Sequence, residues 1–285
     1  MIAMSPSSAH QQPDVPESPA TASGAPAAAP GTTQELAAAL HKRLDGIESH
    51  LAAAVAAPAA GSAVPTRPAW RRETEAEQRW AVSAVILVAV GLQLFLPPRL
   101  TIHPHWMLPA LELVLLVALV AMNPHRRLDR SSRALRAVSL SLVAAISLAN
   151  GWSAVKLVRE LVHGASGSDA VQLLGTGGAI WATNVIAFAL WYWEWDRGGP
   201  AARALGAADY PDLLFPQMQQ TGIAPADWEP GFLDYLYVAW TNATAFSPTD
   251  TMPLSRWAKM LMLLQSAVSL LTVVLVVARA VNILQ

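Results

Sequence analysis

Hydroxyl and amide side chains are concentrated in a short segment just before the last apolar block of the chain. Residues 231–255 contain no lysine, arginine or histidine. Uncharged oxygen-bearing side chains beside a carboxylate can line a cavity for an ion or a small polar solute. Between apolar blocks, such a segment is expected to pack inside protein or to line water. The candidate cavity-lining residues are Thr241, Asn242, Thr244, Ser247, Thr249 and Asp250.

A single glutamate interrupts another apolar block. Glu112 lies within LPALELVLLVAL, residues 108–119. An ionisable group at that depth in a bilayer is costly, so its default interpretation is functional, as a proton relay or a cation site. The alternative is structural: Glu112 pairs with a donor on the third apolar block, such as Asn150, or is neutral. The sequence leaves both interpretations open.

Other kinds of chemistry have little support. Ser247 and Ser255 lack a Gly-x-Ser-x-Gly context and a paired histidine. His103 and His105 have no third ligand nearby in the sequence, and the chain has no cysteine. We therefore predict no enzyme, no bound metal and no cofactor.

Several polar residues also fit purely structural roles. Asp250, three residues before Pro253, fits the N-cap of the last helix. Asn150, Asn184 and Gln265 lie within apolar blocks. They predict interhelical hydrogen bonds of about 0.6 kcal/mol each.

The composition indicates an integral membrane protein. Of 285 residues, 53% are hydrophobic and 14% are charged, against roughly 25% charged in a soluble domain. The apolar residues are gathered into blocks, so the bilayer is the expected partner. The formal net charge of −1 offers no basic face for phosphates, so we expect no nucleic-acid partner.

These blocks predict an all-α bundle of five transmembrane helices. A short re-entrant or interfacial helix is expected before the last span, at about residues 231–245, within a pore-like segment 231–253. Prolines end the first two spans, and tryptophans lie at several span ends. The predicted spans are residues 80–96, 106–122, 135–158, 171–195 and 254–284.

Arginines in the short loops predict the orientation. Four lie between residues 67 and 79 and five between residues 126 and 136, whereas residues 97–105 contain only Arg99. Positive loops face the cytoplasm. We therefore expect a multi-pass protein of the cell (inner) membrane, with a cytoplasmic N-terminus.

The first seventy residues are of a different kind. Residues 1–31, rich in Ala, Pro and Ser, predict a disordered tail. An apolar stripe from Leu36 to Val55 predicts an amphipathic helix over residues 32–57, and residues 58–79 form a linker and a basic approach to the membrane. The stripe fits either a short coiled coil that assembles copies of the chain or a helix lying on the membrane.

The C-terminal third resembles a bacterial family of multi-pass membrane proteins known only as a domain of unknown function. The similarity rests on LWYWEWDRGGP, LLFPQ, FLDYLYVAWTNATAFSPTDT and SRWAK. It covers residues 187–285 and implies the multi-pass membrane class without an activity.

The same third also resembles, more weakly, the pore module of tetrameric potassium channels. In those channels a pore helix ends in Thr-x-x-Thr, and a filter closes on Asp before the last helix. Residues 247–249 read Ser-Pro-Thr where the channels have Gly-Tyr-Gly, so the same carbonyl ladder cannot form. The charge count also places this loop inside, whereas a channel pore loop enters from outside. The matching residues are Thr241, Thr244, Asp250, Pro253 and Arg256.

Two functions follow as hypotheses. The first is a channel- or transporter-like protein, in which the polar segment lines a path for a small ion or solute. The second is a non-transporting membrane or envelope scaffold that assembles through its helices and its N-terminal tail. Homo-oligomers fit both hypotheses.

Overall fold

The computed structural model describes residues 33–56, 68–74, 77, 79–122, 133–164, 169–219, 222–244 and 251–284. The chain divides into two units, Met1–Pro65 and Thr66–Gln285. In the first unit, helix α1 covers Thr33–Ala56. Its leucines from Leu36 to Leu51 and Ile47 are all more than half exposed. The apolar stripe of α1 is therefore uncovered within its own unit.

The second unit is built from helices, with one two-residue ladder among the described residues. The helices are α2 (Trp80–Phe95), α3 (Met107–Met122), α4 (Arg133–Val162), α5 (Ala170–Trp195), α6 (Pro200–Ala204), α7 (Pro216–Gln219), α8 (Phe232–Thr244) and α9 (Arg256–Leu284). Strands β1 (Leu213–Leu214) and β2 (Met252–Pro253) pair antiparallel. The all-α prediction is confirmed.

Three helices are long and apolar enough to cross a membrane: α4, α5 with the turn that follows it, and α9. Helices α2 and α3 have 16 residues each, or about 24 Å against ~30 Å of hydrocarbon. Their apolar sequences match the predicted spans, but their length falls short. Five spans therefore stay a prediction.

Local sequence explains where the helices begin and end. The Asp169 side chain accepts hydrogen bonds from Val171 N and Gln172 N at the start of α5. Leu96 is extended because Pro97 follows it, and this ends α2. These boundaries lie within a few residues of the predicted ones.

Helix α5 is the centre of the bundle. It packs against α2, α4, α8 and α9, whereas α3 packs on α2 and α4. Within an apolar stretch of 18 residues in each helix, 67% is buried in α5 and 28% in α9. Helix α9 thus lies at the periphery, with much of its apolar surface open to lipid or to another chain.

Candidate functional site

Helix α8 lies antiparallel to α5. Near the start of α8, the Phe232 ring lies 6.1 Å from that of Trp193. Further along, the Trp240 ring lies 4.9 Å from that of Trp181, twelve residues earlier on α5. Helix α8 therefore begins beside the C-terminal end of α5 and runs back towards its middle.

Helix α9 also lies antiparallel to α5. The Trp257 ring is 5.4 Å from Trp195, and Asn184 Nδ2 donates to Ser269 Oγ at 2.9 Å. Val276 lies so close to Gly177 that a Cβ there would come within 2.8 Å of it. Because both helices oppose α5, α8 and α9 run in the same direction.

Before α9 begins, the chain has returned to the C-terminal end of α5. Strand β2 pairs with β1, and Leu213 N of β1 donates to the carboxylate of Asp196, just after α5. Thr251, next to β2, is buried. The chain therefore passes along α5 twice in the same direction, first as α8 and then as α9.

The predicted threonines bond within their own helix. Thr241 Oγ1 donates to Tyr237 O at 2.9 Å and to Val238 O at 3.0 Å. Thr244 Oγ1 donates to Trp240 O and to Thr241 O, both at 3.1 Å. Both threonines are half-buried. The predictions at Ser247, Thr249 and Asp250 lie outside the described residues.

Asn242 faces α9 and belongs to a buried network. Its Nδ2 donates to Met262 O at 2.9 Å and to Gln265 Oε1 at 2.8 Å. Gln265 Oε1 also accepts from Tyr192 OH at 2.6 Å, and Gln265 Nε2 donates to Ala239 O at 2.7 Å. Gln265 thus joins α5, α8 and α9, which confirms its predicted interhelical role.

A buried carboxylate anchors the start of this arrangement. Asp196 is 0% exposed. Its oxygens accept from Asp212 N at 3.0 Å, Leu213 N at 3.2 Å and Tyr235 OH at 2.6 Å. Arg197 Nε donates to the same side chain at 3.3 Å. One side chain therefore joins α5, β1 and α8.

Two buried arginines complete this junction. Arg197 has a left-handed backbone (φ 53°), its N donates to Asp212 Oδ2 at 2.9 Å, and its guanidinium donates to Trp70 O. Arg203 donates to Trp193 O and to Asp196 O. The sequence signal was WDRGGP: charges beside aromatic residues, then two glycines. This junction is not among the sites predicted from the sequence.

Two further carboxylates, Glu77 and Glu194, lie at the same end of α5. Glu77 accepts from Phe232 N, at the start of α8, at 2.6 Å and from Trp193 Nε1 at 2.8 Å. Ser139 of α4 donates to Glu194 of α5. Burial lowers the pKa of Arg79, and the nearby charge of Glu194 opposes that shift. The Glu77 contacts hold the start of α8 against α5, and the Ser139 contact holds α4 against α5.

Glu112 is on α3, which packs on α2 and α4 and lies apart from the contacts among α5, α8 and α9. It is 0% exposed, and Gln93 Nε2 lies 3.0 Å from each of its carboxylate oxygens. The donor is thus on α2, not Asn150 on α4 as the structural alternative suggested. Asn150 Oδ1 is buried and accepts no hydrogen bond within the described part of the chain.

The described residues contain no group of three metal-ligating side chains. His103 and His105 are exposed. No protein-family model, no curated protein and no solved structure matches this chain.

Proposed function

We propose that the chain is an integral membrane protein in which α5, α8 and α9 form a re-entrant module of the pore type. Several copies, assembled around α8, would provide a path for a small ion or polar solute. One observation carries the proposal: α8 and α9 run in the same direction along α5, and β2 lies back at the end where α8 begins.

The direction and the length of α8 support the re-entrant interpretation. If α5 and α9 cross the bilayer, then α8 enters from the same side as α9. Its 13 residues extend about 20 Å, less than the ~30 Å of hydrocarbon. Its C-terminal carbonyls would face the membrane interior, and the partial negative charge at a helix C-terminus favours cations. Non-helical backbone at that depth is tolerated where it is buried in protein or lines water.

The path in this proposal requires more than one copy. The Thr241 and Thr244 hydroxyls bond to their own helix. Another face of α8 is open: Leu233 and Tyr237 are each 62% exposed and Trp240 is 51% exposed. A neighbouring copy seated on this face would bring the C-terminal ends of several α8 helices around one axis.

Ion flux through reconstituted vesicles tests this function. Purified protein is placed in liposomes, and potassium, sodium and chloride fluxes are measured separately. We expect flux above that of empty vesicles, and a several-fold reduction in Asp250→Ala. Asp209→Asn, at an exposed acid of the preceding loop, serves as the matched control and should leave flux unchanged. Wild-type vesicles that conduct no better than empty ones would remove the proposal.

Cysteine labelling tests the proposed orientation independently, because the chain has no native cysteine. The arginine-rich loops support a cytoplasmic N-terminus in an inner membrane. With five spans, His103→Cys should react with an impermeant thiol reagent in intact cells, and Asp209→Cys should react only after lysis. The reverse pattern would contradict this orientation.

A second candidate is a non-transporting scaffold. It is favoured by the network around Gln265, in which Asn242 is held by α9 and serves packing. The exposed apolar stripe of α1 offers a surface for assembly. A scaffold would conduct nothing, and its oligomer size on a detergent sizing column should fall when residues 1–65 are removed. An unchanged size would count against it.

A further inference from the structure

A second buried site lies in α2, α3 and α4, away from the α5, α8 and α9 module. Glu112 is enclosed within an otherwise apolar helix, and no ion pair involves it among the described residues. Its neighbour on α2 is the neutral amide of Gln93. The buried polar residues of the facing part of α4 are Asn150 and Ser153, which are also neutral. An ionised carboxylate without a counter-charge is too costly in such a place.

A small cavity lies beside Gln93, the hydrogen-bond partner of this acid. It has room for about one water molecule. Gln93 lines it and also donates to Glu112, so this residue connects the cavity lining to the buried acid. Thr101 and His105 line it from the loop between α2 and α3, and Ser153 lines it from α4. The cavity thus leads from the loop towards the buried acid.

The charged groups at this end do not neutralise Glu112. Of the titratable residues there, His105 lines the cavity. Arg99 forms an ion pair with Glu160, with Arg99 Nε and Glu160 Oε2 3.5 Å apart. Lys156 on α4 has its Nζ 5.4 Å from the centre of the Trp152 ring. None of these forms an ion pair with Glu112 among the described residues.

We propose that Glu112 is a proton-binding site reached from the loop of residues 97–106. A hydronium ion, formed when the cavity water takes up a proton from solution at this loop, transfers that proton to the carboxylate. The carboxylate becomes a neutral carboxylic acid and the hydronium becomes water, and the reverse step regenerates the hydronium. A proton fits better than a metal cation for two reasons. The Gln93 Nε2 group already faces both carboxylate oxygens with a donor, and the cavity is too small for a hydrated cation.

Carbodiimide labelling tests this site, because dicyclohexylcarbodiimide reacts with protonated carboxyl groups in apolar surroundings. The full chain in detergent is labelled at a series of pH values from about pH 5 to about pH 9, and the modified residue is mapped by peptide mass spectrometry. We expect one label at Glu112 that falls at least several-fold as pH rises. Sodium or potassium at constant pH should not protect it. The labelling measurement does not depend on ion flux. The proton-site proposal can therefore fail while the pore proposal holds, and the reverse.

Three variants and three outcomes sharpen the test. Glu112→Gln should remove the label, whereas Glu160→Gln, at another described acid at this end, should retain it. Ser153→Leu fills the cavity and should slow labelling several-fold. A wild-type protein that is unlabelled at Glu112, or labelled equally at every pH, would overturn the proposal. Protection by sodium or potassium would overturn it in favour of a metal-cation site.

Discussion

Single residues decide how the second unit is held together. Asp196 is the clearest case, because one buried carboxylate accepts from the backbone of β1, the phenol of α8 and the guanidinium of Arg197. Removing this carboxylate would leave those buried donors unpaired, which costs free energy. The position of β1 and the start of α8 therefore depend on this side chain.

Replacing Asp196 by asparagine should lower stability strongly. The amide offers one acceptor oxygen in place of two and leaves the buried Arg197 without the counter-charge of Asp196, a loss of about 3–5 kcal/mol. Thermal unfolding in detergent measures it. Asp209→Asn, at an exposed acid of the same loop, should unfold at the wild-type temperature. Equal unfolding temperatures for the two variants would contradict the anchoring role of Asp196.

The turn after α5 should be sensitive to a single methyl group. Gly199 has φ 97°, and a Cβ there would lie 2.8 Å from Glu194 O. Gly199→Ala should therefore cost about 1–3 kcal/mol. Gly91→Ala is the control, because a Cβ at Gly91 meets nothing within 4 Å. The same unfolding measurement compares them, and a harmless Gly199→Ala would show that the turn can adapt.

At the scale of elements, close packing places α9 against α5. Gly177 leaves no space for a side chain beside Val276, so the two backbones approach there. Small residues serve this role between membrane helices, where the hydrophobic effect does not drive association. Polar contacts then set the register, through Asn184 with Ser269 and through Gln265.

Adjacent glycines of α5 should respond differently to alanine. In Gly177→Ala the new Cβ would lie 2.8 Å from both Val276 methyl carbons, and overpacking costs about 1–3 kcal/mol. In Gly178→Ala the Cβ meets nothing within 4 Å, so stability should be kept or slightly raised. Unfolding temperatures of the two variants, measured side by side, check this. A reversed order would mean that α5 and α9 do not pack in this register.

The Gln265 network should matter more than any one of its bonds. Gln265→Leu leaves Tyr192 OH, Asn242 Nδ2 and Ala239 O without this partner. At about 0.6 kcal/mol per bond, the loss should reach roughly 2 kcal/mol. Ser266→Ala removes a donor to Asn242 alone and should cost less. If both variants unfold alike, Gln265 does not join the three helices.

At the scale of the whole molecule, the boundary between the two units lies before Trp70. The division between units falls after Pro65. Trp70 is 6% exposed, and its carbonyl accepts from Arg197. The segment just before α2 is therefore part of the bundle, although the sequence indicated a linker and a basic approach.

Truncation should distinguish the two units. A chain that begins at Thr66 should unfold at the wild-type temperature, because it keeps Trp70 and its contact with Arg197. A chain that begins at Glu73 should be less stable by several kcal/mol, since a buried tryptophan contributes about 3–5 kcal/mol. Thermal unfolding compares them. Loss of stability in the first chain would show that residues 1–65 are needed by the bundle.

The sequence by itself determined the class of protein and the places of its helices. Apolar blocks and their prolines set α2, α3, α4, α5 and α9 within a few residues, because helix formation and helix ends depend on near neighbours. Gln265 was also predicted correctly to join helices, since a buried amide must find partners.

Only the tertiary structure decided how these helices meet. Glu77 and Phe232 lie 155 residues apart in the sequence, and Asp196 and Tyr235 lie 39 apart. The partner of Glu112 is Gln93 on α2 rather than Asn150 on α4. The common direction of α8 and α9 likewise depends on contacts between residues that lie far apart in the sequence. Such pairings follow from the packing of the whole bundle, which periodicity along one helix does not contain.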